Sequence, residues 1–272
     1  MKPWTLLALS VMAVTSVLAA PADVRMLEVT GEGAKYWSRW RGPTGQGHVP
    51  AGQYTDKWSA TAGVQWKVAV PGRGNSSPIV WGDRIFLTTS RNQGQRLSMI
   101  AFSRKDGAQL WETDIPQTGV EYPHEKNGYA SATAATDGEM VYASFGRHGL
   151  VAFDFNGKIV WHRKFGIIDN YHGPAGSPVL YKDRVFIYQD ANAAPGQRAF
   201  VGAFDKKTGK TLWETRLAAQ PSAFPITYAI GGVQYVAVVA GGGGAHDITW
   251  PQITPEIDNP TGATTLYVFR LR

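Results

Sequence analysis

Ala101-Phe102-Ser103-Arg104-Lys105-Asp106-Gly107-Ala108-Gln109-Leu110-Trp111-Glu112-Thr113 returns later in the chain as Ala203-Phe204-Asp205-Lys206-Lys207-Thr208-Gly209-Lys210-Thr211-Leu212-Trp213-Glu214-Thr215, with eight of the thirteen positions identical. A third copy, one residue shorter, lies between them: Ala152-Phe153-Asp154-Phe155-Asn156-Gly157-Lys158-Ile159-Val160-Trp161. A fainter one, Gly63-Val64-Gln65-Trp66, precedes all three. The four tryptophans stand 45, 50 and 52 residues apart. That spacing is the period of a four-stranded propeller blade, whereas helical-pair repeats return sooner, at about 34 residues.

Within each repeat the pattern is strand, turn, strand. Ser77-Pro78-Ile79-Val80 leads to a turn at Trp81-Gly82-Asp83 and on to Arg84-Ile85-Phe86-Leu87-Thr88; Leu97 to Phe102 then turns at Lys105-Asp106-Gly107 into Gln109 to Thr113. The second repeat turns at Asp137-Gly138 and Asn156-Gly157, the third at Lys182-Asp183 and Lys207-Thr208-Gly209. Asp-Gly and Asn-Gly between alternating apolar runs are strong hairpin signals, and β-branched and aromatic residues fill the runs between them. No capped segment of helical period follows residue 20.

The last repeat differs. Pro225 to Ile230 turns at Gly231-Gly232 into Val233 to Val239, and the final strand runs from Thr265 to Leu271. That makes three strands. The lone Trp66 strand is the expected fourth, so that pairing of N- and C-terminal strands removes an open edge. The expectation is an all-β fold: a β-propeller of four-stranded antiparallel blades, about four repeats long. A half-ring completed by a homodimer and a shortened chain are the other readings of so few repeats.

The composition agrees. Ten Trp, 11 Tyr and 11 Phe supply a core, and 31 Gly with 16 Pro supply turns. Lys2 followed by the apolar run Leu6 to Leu18 and small residues at Ala19 to Ala22 reads as a secretory signal. Residues 1–20 are expected to be that signal, 21–62 a leader packed on the propeller, and 63–272 the propeller itself. The expected location is periplasmic or secreted, in a bacterium, with no membrane span after cleavage. The chain has no cysteine, so neither a disulfide nor a lipid-modified cysteine is available. The net charge of +6 is scattered rather than clustered, which argues against nucleic acid as a partner.

The Gly-x-x-x-Trp strands that follow Ala-Phe-Asp-x-x-x-Gly resemble the PQQ-like (quinoprotein alcohol dehydrogenase-like) propeller repeats. The opening Tyr36-Trp37-Ser38-Arg39-Trp40-Arg41-Gly42-Pro43 resembles the leader of exported bacterial members, and Ile226 to Gly244 is similar to the last blade of PQQ-dependent dehydrogenases. The resemblance spans nearly all of residues 36–272. It implies a propeller, and it implies a choice between quinone-dependent alcohol or sugar dehydrogenases and an outer-membrane assembly scaffold. Family propellers have seven or eight blades; this chain holds about four repeats. The resemblance also implies that a dehydrogenase sandwiches its quinone between a Trp and a vicinal disulfide, beside a Ca²⁺. The disulfide is impossible here, though family members without it exist.

Blade topology sorts the loops onto two faces. The a–b and c–d turns are tight, while the b–c loops and the links between blades are long and chemically rich. Loops held by a rigid scaffold are where binding residues concentrate, so the long-loop face is the expected functional one. The candidate ligand-binding residues are Arg41, His124, Asn127, His172, Asp190, His246 and Asp247. His124-Glu125-Lys126-Asn127 offers a base, a carboxylate and an amide together, and a solvated loop is its plainer reading. His246-Asp247 follows four glycines that permit close backbone approach. The repeat tryptophans are packing anchors rather than a cofactor platform.

No His pair stands at i, i+4, no thiol exists and no Gly-x-Ser-x-Gly occurs, so neither a metal site nor a serine hydrolase is expected. The sequence favours a binding or interaction scaffold over an enzyme, without a firmly expected cofactor. Its partner would be a protein or a small polar ligand on the long-loop face. A PQQ-dependent alcohol or sugar dehydrogenase with PQQ and Ca²⁺, or a shortened remnant of one, is the alternative.

Overall fold

The computed structural model describes residues 30–49, 52, 54, 57–117, 119–121, 123–124, 127–166, 173, 175–189, 199–217, 225–241 and 265–270. Four antiparallel sheets follow one another along the chain, and the fold is an all-β propeller array of the kind the repeats foretell. Blade 1 comprises β1 (Ile79–Trp81), β2 (Arg84–Arg91), β3 (Arg96–Ser103) and β4 (Gln109–Asp114). Blade 2 comprises β5 (Ala135–Thr136), β6 (Met140–Ser144), β7 (Leu150–Asp154) and β8 (Ile159–Arg163). Blade 3 comprises β9 (Val179–Tyr181), β10 (Arg184–Gln189), β11 (Phe200–Asp205) and β12 (Thr211–Arg216). Blade 4 has three strands, β13 (Ile226–Ile230), β14 (Val233–Ala240) and β15 (Thr265–Arg270).

In blades 2 and 3 an aspartate caps the turn between the third and fourth strands. In blade 3 the Asp205 carboxylate accepts the Lys207 and Thr208 amides at 3.0 and 2.8 Å, and in blade 2 Asp154 accepts those of Asn156 and Lys158 at 2.8 and 2.9 Å. A short polar side chain closing its own turn is the physical reason Asp recurs there. After each turn the third and fourth strands slip register, between Ala101 and Phe102, Ala152 and Phe153, and Ala203 and Phe204. The extra residue of each bulge, Leu110, Val160 or Leu212, is exposed. Each bulge thereby re-aims the following tryptophan.

Those tryptophans lock the blades together. Trp111 donates its indole N–H to the Phe155 carbonyl at 2.8 Å, and Trp161 donates to Lys206 at 2.8 Å. Each ring lies against the turn glycine of the next blade. A Cβ on Gly157 would fall 2.6 Å from Trp111, and one on Gly209 would fall 2.6 Å from Trp161. Both glycines have positive φ, so no other residue satisfies the backbone and the ring at once.

The core is divided into three wedges. Ile79, Phe86 and Met99 of blade 1 meet Val141, Val151 and Phe153 of blade 2. Tyr142 and Leu150 meet Val185, Ile187 and Phe204 of blade 3. Phe186 and Val201 meet Val236 and Val238 of blade 4. The leader crosses the inner strands at the tight-turn end: Val80 donates to the Trp37 carbonyl at 2.8 Å, Thr136 donates to Ser38 at 2.9 Å, and Tyr36 packs on Trp81.

One expected contact is not formed among the described residues. Trp66 does sit on Gly107 and donates to the Arg104 carbonyl at 3.0 Å, as the outer strand of a preceding blade would. Residues 63–70, however, join no ladder, and β15 pairs with β14 alone. The N- and C-terminal strands therefore do not close a ring within the structure described.

The Trp–Gly seat predicts a measurable difference between two glycines. Gly157 and Gly166 both have φ near +85°, yet a Cβ on Gly166 meets nothing within 4 Å. Gly157→Ala is expected to lower unfolding free energy by about 3–5 kcal/mol, through backbone strain plus ring overlap. Gly166→Ala is expected to cost about 1–2 kcal/mol through strain alone. Urea denaturation of both variants checks this, and equal losses would remove the seat from the account.

Candidate functional site

The long-loop face is built around the link from blade 1 to blade 2. Gln117 donates its side-chain amide to the Gly94 carbonyl at 3.2 Å and also reaches the Gln95 carbonyl, tying the link to the β2–β3 loop. On the other side the buried Glu121 carboxylate accepts the Arg147 amide at 3.1 Å, tying the link to the β6–β7 loop. Between these moorings Asn127 organises a compact turn. Its side-chain oxygen accepts the Gly128 amide at 2.8 Å and the Ser131 hydroxyl at 2.5 Å, and its own amide donates to the His124 carbonyl at 2.8 Å. The next link reaches the same place: a Cβ on Gly173 would lie 2.5 Å from Pro123 and 3.3 Å from the Asn127 side-chain nitrogen.

His148 follows Arg147, whose amide Glu121 holds. It ends a 3₁₀ turn, Gly146–His148, that the Gly149 amide closes onto Gly146. Its ring is buried, and its Nε2 has no hydrogen-bond partner among the described residues. His162 donates a ring N–H to the His148 carbonyl at 2.5 Å. Burial holds the His148 pKa down to about 4, helped by the charges of Arg147, His162 and Lys164. Burial lowers His162 as well. Both rings are neutral at pH 7.

Of the residues the sequence singles out, the structure brings His124 and Asn127 into one turn on the long-loop face. Arg41 belongs to the leader instead, at a positive φ of 60°, exposed, with its guanidinium 5.3 Å from the Trp40 ring. Its neighbour Arg39 is spent within the leader, donating to the Gly42 and Pro43 carbonyls. His172, Asp190, His246 and Asp247 lie outside the described residues. Glu121, Gln117 and Ser131 carry the site and were not singled out. Each acts through a partner 3 to 26 residues away, and a loop sequence shows no period that would reveal such a pair.

Near the axis, hydroxyls step from blade to blade. Ser77 donates its amide to the Thr133 hydroxyl and Thr133 donates to the Ser177 hydroxyl, both at 3.0 Å. These oxygens are engaged by backbone. Among the described residues no three His, Asp or Glu side chains converge. A quinone with a hard cation needs a cluster of carboxylate and amide oxygens, and the described residues hold no group of three carboxylates or imidazoles.

A family model described as outer membrane protein assembly factor BamB matches residues 32–198, more than half of the chain. The chain is 28% identical over 196 residues to quinoprotein alcohol dehydrogenase PedH of Pseudomonas putida, covering 70% of this chain and 30% of that protein. It is 49% identical over 49 residues to quinoprotein glucose dehydrogenase A of Acinetobacter calcoaceticus, covering 18% of this chain and 6% of that protein. Among solved structures, quinohemoprotein alcohol dehydrogenase ADHIIG of Pseudomonas putida HK5 aligns with a TM-score of 0.51 and 19% identity, over 76% of this chain and 34% of that one. That likeness shows the propeller fold. The chain thus spans less than a third of either curated relative.

The buried histidine sets a pH dependence. The folded pKa of His148 lies below the ordinary value, so between pH 6.5 and about 4 the unfolded chain binds the extra proton. Stability contributed by the neutral ring is therefore present above pH 6.5 and lost as the pH falls to 4, by on the order of 3 kcal/mol. Urea titrations of the wild type and His148→Asn across that range check it. The variant is expected to show a flatter profile, and parallel profiles would exclude His148 as the source.

Proposed function

This chain belongs to the PQQ-like β-propeller repeat family, and from that membership we propose that it is an exported interaction scaffold whose long-loop face binds a protein partner. The observation that carries the reading is what the polar side chains of that face do. Gln117, Glu121, Asn127 and Ser131 each hold a backbone group of a loop. Side chains used this way fix loop shape, and a preformed surface binds without the cost of ordering itself. Catalysis would call instead for acids and bases turned toward one another or toward a shared point. The family model named for an assembly factor supports the same reading.

The leader adds a direction. It crosses β1 and β5 at the tight-turn end, where its carbonyls occupy the Val80 and Thr136 amides. That leaves the opposite face as the one a partner meets. The quinone-dependent alternative draws its support from the two dehydrogenase relatives.

Two experiments separate the readings. A photo-crosslinking residue placed at His124, and a control at Asp183 on the tight-turn face, are introduced into the chain in its cell envelope. Partner adducts from position 124 and none from 183 are expected; equal yields from both would refute the assigned face. Purified protein is also mixed with PQQ and Ca²⁺ and desalted. No retained quinone absorbance and no dye-linked alcohol or sugar oxidation are expected, and retention of the chromophore with activity would establish the alternative.

A further inference from the structure

The segment Pro71-Gly72-Arg73-Gly74-Asn75 leads into the inner strand of blade 1 from the long-loop end. Building on the protein-binding reading of this face, we infer that Arg73 and Asn75 form a carboxylate subsite that takes an acidic side chain of the partner.

Backbone contacts fix both residues. The Arg73 amide donates to the Ser90 carbonyl at 2.8 Å, and the Arg73 carbonyl accepts the Ser90 amide at 2.7 Å and the Ser90 hydroxyl at 2.8 Å. Ser90 stands next to last in β2, beside the loop that leads to β3, so this bridge sets Arg73 at the long-loop end. The Asn75 amide donates to the Ala130 carbonyl at 2.9 Å, which ties the segment to the link between blades 1 and 2. Two glycines allow the fit. A Cβ on Gly72 would fall 2.4 Å from the Ser90 carbonyl oxygen, and one on Gly74 would fall 2.8 Å from that of Thr88. The chain lies directly against β2 at both glycines, while Arg73 and Asn75 are exposed. Asn75 stands beside the moored turn: a Cβ on Gly128 would lie 3.6 Å from the Asn75 side-chain nitrogen and 3.6 Å from the Ser131 hydroxyl.

The two side chains are held in place yet unspent. Among the described residues, neither the Arg73 guanidinium nor the Asn75 carboxamide has a hydrogen bond or an ion pair. The other arginines at this end of blade 1 are neutralised, Arg91 by Glu112 at 2.5 Å and Arg96 by Asp114 at 2.7 Å. Asp114 also accepts the Ser98 hydroxyl, and Glu121 accepts the Arg147 amide. These three carboxylates are engaged within the fold, and Arg73 keeps an uncompensated charge.

That arrangement selects a carboxylate. A guanidinium presents paired N–H donors that match the two oxygens of one carboxylate. Asn75 follows after about 6.6 Å of extended chain, the repeat at which an extended peptide returns a side chain to the same side. An acidic residue on Arg73 and a polar group beside Asn75 therefore fit one extended stretch of a partner. The backbone that carries both side chains is already ordered, so binding costs little there. Charge on a protein's rim also speeds encounter with a partner of opposite sign.

The test keeps the full chain in its cell envelope, with the photo-crosslinking residue at His124. Arg73→Gln is expected to lower the partner adduct about tenfold, and Asn75→Ala about threefold. Arg163→Gln, which removes another exposed cation at the end of β8, is expected to leave it unchanged. An undiminished adduct in both Arg73→Gln and Asn75→Ala overturns the subsite and leaves the protein-binding face standing. The absence of any adduct from position 124 in the otherwise wild-type chain removes that face, and the subsite with it. Equal losses from the two arginine variants assign the effect to net charge and overturn the subsite. Purified protein is also titrated with succinate, the probe for a free carboxylate. No saturable heat is expected; saturable binding that Arg73→Gln abolishes assigns the subsite to a small molecule and overturns the acidic partner.

Discussion

Everything in this fold depends on an indole ring set over a glycine. Trp66, Trp111 and Trp161 each lie against the turn glycine of the blade that follows and donate one hydrogen bond to a carbonyl there. The contact joins three requirements. The turn needs positive φ, the ring needs a missing Cβ, and the indole N–H, half-buried, needs an acceptor. Glycine and tryptophan satisfy all three, and the intervening spacing is set by the capped turn and the bulge. Once the seat recurs, the angle between successive blades recurs, and the wedge cores follow from it.

The seat also explains where sequence reading succeeds. A local motif with a fixed spacing leaves a period in the chain, so Gly107 to Trp111, Gly157 to Trp161 and Gly209 to Trp213 announce the blades. The turns at Asp137-Gly138 and Asn156-Gly157 announce the hairpins for the same reason. The bulges at Leu110, Val160 and Leu212 leave no such mark. They arise because the turn and the tryptophan seat together demand one residue more than the partner strand has. Apolar residues at those positions read as strand interior and are in fact exposed.

The candidate site was less legible, and the physical reason lies in its bonding. His124 and Asn127 stand out as polar residues in a long loop, but their use is decided by what they touch. The Asn127 oxygen accepts Gly128 and Ser131, and Glu121 takes the amide of Arg147, which lies in another loop. A side chain that binds backbone has no complementary residue type to search for, since every residue but proline offers the same amide. Arg41 lies in the leader, where its guanidinium stands over a neighbouring tryptophan and the leader's carbonyls serve Val80 and Thr136.

The leader bears on a constraint that every propeller meets. A propeller must dispose of two things, the polar inner edges around its axis and the outer edge of its last blade. The leader meets the first need at the tight-turn end by lending carbonyls to the inner strands of blades 1 and 2. In the outer part of the array, Leu266 and Val268 of β15 and Val64, Val68 and Val70 are exposed. Because the leader precedes residues 63–70 in the chain, its anchor on blades 1 and 2 keeps that segment beside blade 1, with Trp66 seated on Gly107.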